Sequence, residues 1–230
     1  MLKLTPLILA LAYGFLAYHF SAWRLGRELD ARSSELADAR LKALTDRMAR
    51  ALDLPAVRVH VYEVEPINGL AAPDGRIFLT RGFYAQYRAG RVSAEELASV
   101  IAHELGHVAL GHSRRRMIDF SGQNALRMAL GMVLSRLLPG IGTAIAGALT
   151  SLLAARLSRR DEFEADAWAT ALLLKAGIGT CGQKSLLGKL DALTGARGGA
   201  LPAWFMSHPP AAERIAAIEA NERKWGIGRG

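Results

Sequence analysis

SAEELASVIAHELGHVALGH, residues 93–112, is the stretch from which the rest of the chain is read. Leu97, Ile101, Leu105 and Val108 recur at helical spacing and make one apolar strip. Ser93 and Glu96 have the spacing of a capping box, so the helix is expected to begin there. Toward its end lies His103-Glu104-Leu105-Gly106-His107, an H-E-x-x-H pattern. Positions i and i+4 stand one above the other on a helix, so both imidazoles can reach a single ion. Glu104 lies about 100° round from His103, close enough to serve a water at that ion without ligating it. Gly106 leaves room beside the pair. Burying His, Glu and His in an apolar run without replacing their hydration is costly, which favours a metal site over a chance match.

A catalytic zinc takes three protein ligands and keeps one position open. His112, His208 and a downstream carboxylate are the candidates for the third. His112 would lie about two and a half turns beyond His103 on a continuous helix, out of reach of the same ion unless the chain breaks at Gly111. SRRDEFEADAW, residues 158–168, places Glu162 and Asp166 at i and i+4 on one helix face. One of them can ligate while the other accepts a hydrogen bond from the far nitrogen of a ligating histidine. Glu164 points elsewhere, and Asp161 lies off that face with Arg160 as a local partner. Ala165, Ala167, Trp168 and Leu172 make the surroundings apolar, which fits a solvated acidic face poorly.

The flanking elements complete a helix-rich α+β pattern. Residues 33–52 read as a helix with Leu36, Leu41, Leu44, Met48 and Leu52 as its stripe, Ser34 as its cap and Pro55 beyond its end. Val57, Val59 and Val61 alternate with Arg58, His60 and Tyr62 as a half-buried strand, on which His60 needs no functional reading. Asp74-Gly75 marks a turn before a strand over 77–80. Gly177 and Gly179 stop the helix that carries Glu162, and His208-Pro209-Pro210 opens a last helix with Ile215 and Ile218 along it.

Composition adds a membrane signature. The chain has 230 residues, a net charge of +8 and 51% hydrophobic residues, with a mean hydropathy of +0.15. The apolar excess gathers in two places. Leu4–Trp23 is uncharged and reaches the roughly 20 residues that a membrane helix needs. Arg24, Arg27 and Arg32 follow it against Lys3 before it, favouring a C-terminal domain on the cytoplasmic side of a bacterial inner membrane. A cleaved signal peptide is the rival reading. The second place is an insert at 117–157 holding an uncharged run from Leu137 to Ala155, interrupted by Pro139 and several glycines. A short helical hairpin on the membrane or over the cleft is preferred there to a full crossing. The basic clusters at Arg114–Arg116 and Arg156–Arg160 sit beside apolar segments without nucleic-acid-binding spacing, so anionic lipid and not nucleic acid is the expected partner. Cys181 is the lone cysteine, which excludes an intrachain disulfide framework. The expected organisation is an anchor and juxtamembrane segment at 1–32 and a catalytic domain at 33–230.

These residues together resemble the gluzincin peptidases typified by HtpX and by the CAAX prenyl protease 1 type. The resemblance rests on HELGH, on the Glu162-Phe163-Glu164-Ala165-Asp166 core, and on a late His208-Pro209 followed by Arg214. It implies Glu162 as the third zinc ligand and Asp166 as the carboxylate that holds a ligating histidine. It implies His208 and Arg214 near the zinc, with His208 a donor to the substrate or its oxyanion. Asn68, Gly69 and Ala71 match the family's Asn-Ala-x-Ala segment, with Gly69 in place of alanine, and that segment resembles an edge strand beside the cleft. HtpX-like relatives have true crossings between their motifs, so the short insert departs from them. It also weakens any transfer of a prenylated substrate.

The expected activity is that of a zinc endopeptidase with Glu104 as general base, acting on membrane or misfolded proteins. A catalytically inactive zincin-fold chaperone or adaptor, tethered to the membrane, is the alternative. An intact Glu104 argues against it. Oligomeric partners are not readable from the sequence.

Overall fold

A computed structural model describes residues 19–20, 23–72, 74–112, 127, 130–193 and 210–226. The chain divides into two compact units, one of residues 1–32 with 113–155 and one of residues 33–112 with 156–230.

The second unit is built on a four-stranded sheet. Its strands are β1 (Ser33–Glu35), β2 (Val59–Tyr62), β3 (Gly69–Ala71) and β4 (Ile77–Thr80), in the order β1-β2-β4-β3. β2 and β4 run parallel, while β1 and β3 pair antiparallel on either side, leaving β3 as an edge. The expected alternation holds on β2, where Val59 and Val61 are buried and His60 and Tyr62 half-buried. The Asp74-Gly75 turn joins β3 to β4, with the Gly75 amide donating to the Ala72 carbonyl at 3.0 Å.

The helix expected over 33–52 is shorter at its start. Ser33–Glu35 form β1 and pair with His60–Tyr62, and the helix α1 spans Ala39–Ala51. Its cap is Asp38, whose Oδ1 accepts from the Leu41 amide at 3.0 Å and from the Tyr87 hydroxyl at 3.2 Å, and not Ser34. The cause is long-range: the backbone of 33–35 finds its hydrogen bonds on β2, which local helical periodicity does not register. The stripe itself is where it was expected, with Leu41, Leu44 and Met48 buried and Leu36 and Leu52 packed against the core.

Thr80 ends β4 and caps α2 (Arg81–Arg88). The helix α3 (Ala94–Ala109) opens with the full capping box: the Glu96 amide donates to Ser93 Oγ at 3.1 Å, and the Ser93 amide donates to Glu96 Oε2 at 2.8 Å. Leu97, Ile101 and Leu105 bury their side chains among Leu79, Phe83 and Leu173. Each such side chain contributes roughly 1.5–3 kcal/mol, so α3 is held firmly along the length that carries the histidines.

The helix α4 (Gly142–Lys175) is longer than the motif alone suggests. It stops at Gly177, with φ 65°. The helices α5 (Cys181–Leu193) and α6 (Ala211–Lys224) follow, and α5 packs against both α3 and α6. Ile218 of α6 is buried and Ile215 lies against the core.

In the first unit, residues 23–31 and 130–137 are helical. Residues 138–141 turn the chain, with Gly140 at φ 89°, and α4 then runs back along the preceding helix. Gly142 lies against the backbone of Leu134, where an added Cβ would stand 2.3 Å from the Leu134 carbonyl. The chain thus forms a helical hairpin, in which the run from Leu137 to Ala155 supplies the turn and the start of the second helix. Among the described residues no helix is long and apolar enough to cross a membrane. Most of the Leu4–Trp23 run lies outside the described residues.

Candidate metal centre

Every residue of the centre belongs to the sheet-containing unit. α3 and α4 meet at Gly106, where an added Cβ would stand 3.0 Å from the Ala165 carbonyl oxygen and 3.2 Å from its Cα. Backbone against backbone, this approach sets Glu162, three residues before Ala165, and Asp166, directly after it, against the two histidines of α3. A side chain at Gly106 would separate them.

His103 Nε2 and His107 Nε2 are 3.1 Å apart. Glu162 reaches both, with Oε2 at 3.2 Å from His103 Nε2 and Oε1 at 3.3 Å from His107 Nε2. The three donor groups lie within 4.8 Å of one another and all are buried. Two imidazoles and one carboxylate converging in this way form a donor set suited to a zinc-type cation. Glu104 is also buried, and it faces the sheet edge: a Cβ on Gly69 would come within 3.5 Å of Glu104 Oε1. Asn68 directly precedes β3 and Ala71 ends it. The Asn68 side chain turns back on its own strand and accepts from the Gly69 amide at 3.0 Å.

Behind His103 stands Asp166, whose Oδ1 accepts from His103 Nδ1 at 2.9 Å. Arg214 grips the same carboxylate with two hydrogen bonds, Nε to Oδ2 at 2.6 Å and Nη2 to Oδ1 at 2.7 Å. Burial alone would raise the pKa of Asp166, but the charge and hydrogen bonds of Arg214, with those of His103, hold it down at about 2. Burial alone would lower the pKa of His103, and the hydrogen bonds to Asp166 and Glu162 overcome it, raising it to about 9. The carboxylates that stabilise a proton on His103 are arranged to stabilise a cation in its place. The Asp166 backbone is tied as well, its carbonyl accepting from the Thr170 hydroxyl at 2.7 Å and from Gln183 Nε2 at 3.3 Å.

His112 comes back to the site, which a continuous helix would not allow. α3 ends at Ala109, and Gly111 adopts φ 68°, reversing the chain. The His112 ring then lies against the far side of His107, Nδ1 to Nδ1 at 2.9 Å. It does not join the three converging donors. Asp161 and Glu164, expected to point away from the centre, flank His112 instead, at 3.7 Å and 3.4 Å from its Nε2. Arg160 pairs with Glu164 at 2.7 Å and not with Asp161. The one sequence signal for this arrangement was a glycine directly before a histidine just past the helix. His208 lies outside the described residues. His60 takes no part in the centre and stacks on Phe78.

The sequence profile of peptidase family M48 matches residues 35–222, a span that contains the whole of this donor set. The chain belongs to that family. It is 30% identical to the metalloprotease YcaL of Escherichia coli strain K12 over 197 residues, covering 84% of this chain and 72% of that protein. It is 30% identical to the metalloprotease LoiP of the same organism over 189 residues, covering 82% and 71% of the two chains. A protease HtpX homolog of Chlorobium phaeovibrioides is 27% identical over 228 residues, covering 86% and 77%. This M48 protein is therefore a metallopeptidase, and its substrates are proteins or peptides. The family and the donor set agree on a divalent metal.

Proposed function

We propose that this M48 peptidase is a zinc-dependent endopeptidase in which His103, His107 and Glu162 hold the metal and Glu104 is the general base. The observation that carries the reading is the convergence of His103 Nε2, His107 Nε2 and the Glu162 carboxylate, with Glu104 one residue along the same helix. A zinc ion held by these groups would make a water nucleophilic near neutral pH and polarise the scissile carbonyl. The protein's own residues do the rest. Glu104 takes a proton from the attacking water as its oxygen bonds to the carbonyl carbon. It then delivers that proton to the leaving amine as the C–N bond breaks. Asp166 fixes the His103 ring, and Arg214 keeps Asp166 charged. The substrate lies extended along β3, whose free edge offers backbone hydrogen bonds beside Glu104. His208 donates to the developing oxyanion.

The setting is the bacterial inner membrane, with residues 1–32 as anchor and juxtamembrane segment, 33–230 as catalytic domain on the cytoplasmic side, and membrane or misfolded proteins as substrates. The hairpin within the 117–157 insert supports this, since it exposes Met132, Val133, Leu137, Ile141, Leu149 and Leu152, residues that lipid would cover. Glu104→Gln tests the chemistry. It is expected to keep its zinc, measured by metal content, and to lose about 100-fold or more in kcat. Full turnover in that variant would remove Glu104 from the mechanism, and loss of zinc would make its role structural.

A further inference from the structure

His112 is wholly buried at the end of a chain reversal, and its ring stands 2.9 Å from His107, Nδ1 to Nδ1. A contact between two ring nitrogens holds one proton, so one must donate and the other accept. Resting on the reading that His107 binds the metal, the choice is forced step by step. His107 Nε2 faces His103 and Glu162, so its lone pair goes to the metal and its proton sits on Nδ1. His112 Nδ1 is then the acceptor. The Nε2 side of the His112 ring faces the carboxylates of Glu164, at 3.4 Å, and Asp161, at 3.7 Å, which accept the proton it carries there.

We propose that His112 is a positioning residue of the metal centre, which accepts the Nδ1–H of His107 and passes that polarisation on to the carboxylates of Glu164 and Asp161. The two metal-binding histidines are thus held differently. His103 donates directly to a carboxylate clamped by Arg214. His107 donates to a second imidazole, with carboxylates one ring further away. The arrangement fixes the ring angle and tautomer of His107 and makes its Nε2 a stronger ligand, as partners behind metal-binding histidines do. It also gives the reversal at Gly111 a purpose: φ 68° is strained for residues with a side chain, and it is what turns His112 back onto α3.

The test uses the full chain with two substitutions. His112→Phe keeps much of the ring volume but offers His107 no acceptor. His112→Gln offers an amide oxygen to His107 and an N–H toward the carboxylates. Zinc affinity is measured by chelator competition at fixed neutral pH. The exchangeable ring N–H resonances of the metal-binding histidines are followed by NMR in the cobalt-substituted protein. His112→Phe is expected to weaken zinc about 10- to 100-fold and to lose the His107 N–H resonance to solvent exchange while that of His103 stays. His112→Gln is expected to recover most of the affinity and the resonance. Wild-type affinity in His112→Phe would overturn the proposal. So would equal weakening in both variants with the His107 resonance intact, since that pattern belongs to packing alone. A wild type that binds no zinc overturns the underlying reading of the centre, and this proposal with it.

Discussion

Asp166 keeps a full negative charge in a buried position because two cationic or donating partners meet it there, Arg214 through a double hydrogen bond and His103 through Nδ1. Removing one partner of such a set leaves the other buried and uncompensated. Arg214→Met is therefore expected to cost about 3–5 kcal/mol of unfolding free energy, read by denaturant unfolding, and to weaken zinc binding through the loosened His103 ring. The pKa values make a further prediction for the metal-free protein. The raised value of His103 contributes stability that is complete below its ordinary 6.5 and is lost as pH rises through about 9. The depressed value of Asp166 contributes stability present above its ordinary 3.8 and lost as pH falls toward about 2. Between pH 6.5 and about 9 the metal-free His103 is still protonated, so zinc uptake there must release its proton. Calorimetry in buffers of different ionisation enthalpy should register that release. Uptake with no proton exchange would mean that His103 is neutral before the metal binds.

At the scale of elements, the centre depends on how closely α3 and α4 approach at Gly106. A methyl group there would gain about 1 kcal/mol in helix propensity, which partly hides the cost of pushing the helices apart. Gly106→Val avoids that ambiguity. It is expected to lose roughly 1–3 kcal/mol of stability and to weaken zinc binding together with activity, as measured by unfolding and metal titration. Unchanged zinc affinity would show that the approach does not set the ligand geometry. α3 was legible in the sequence because its capping box, its apolar strip and its metal motif agree within one short stretch. β1 was not, since Ser33–Glu35 have no strand pattern of their own and are fixed by pairing with β2. The place of His112 was legible only as a break point at Gly111, because the sequence does not show where a positive φ there aims the following side chain.

For the whole molecule, the α+β pattern was readable from periodicity and turns, and the face shared by Glu162 and Asp166 from their spacing. The sequence did not reveal that the helix carrying Glu162 begins as far back as Gly142. Lipid contact by the hairpin has its own test. Replacing Leu137, Ile141 and Leu149 by Ser should leave the N-terminally anchored full chain on anionic vesicles but reduce severalfold the labelling of the hairpin by a photoactivatable lipid, with zinc content unchanged. Undiminished labelling would remove the hairpin from membrane contact. The central claim is a zinc ion held by His103, His107 and Glu162 that serves peptide hydrolysis. It is tested most directly by zinc content and casein cleavage in the same samples of wild type and Glu162→Ala. The account predicts one zinc per chain and cleavage in the wild type, with both lost in the variant. A wild type without zinc, or a Glu162→Ala variant that keeps its metal and still cuts, would contradict it.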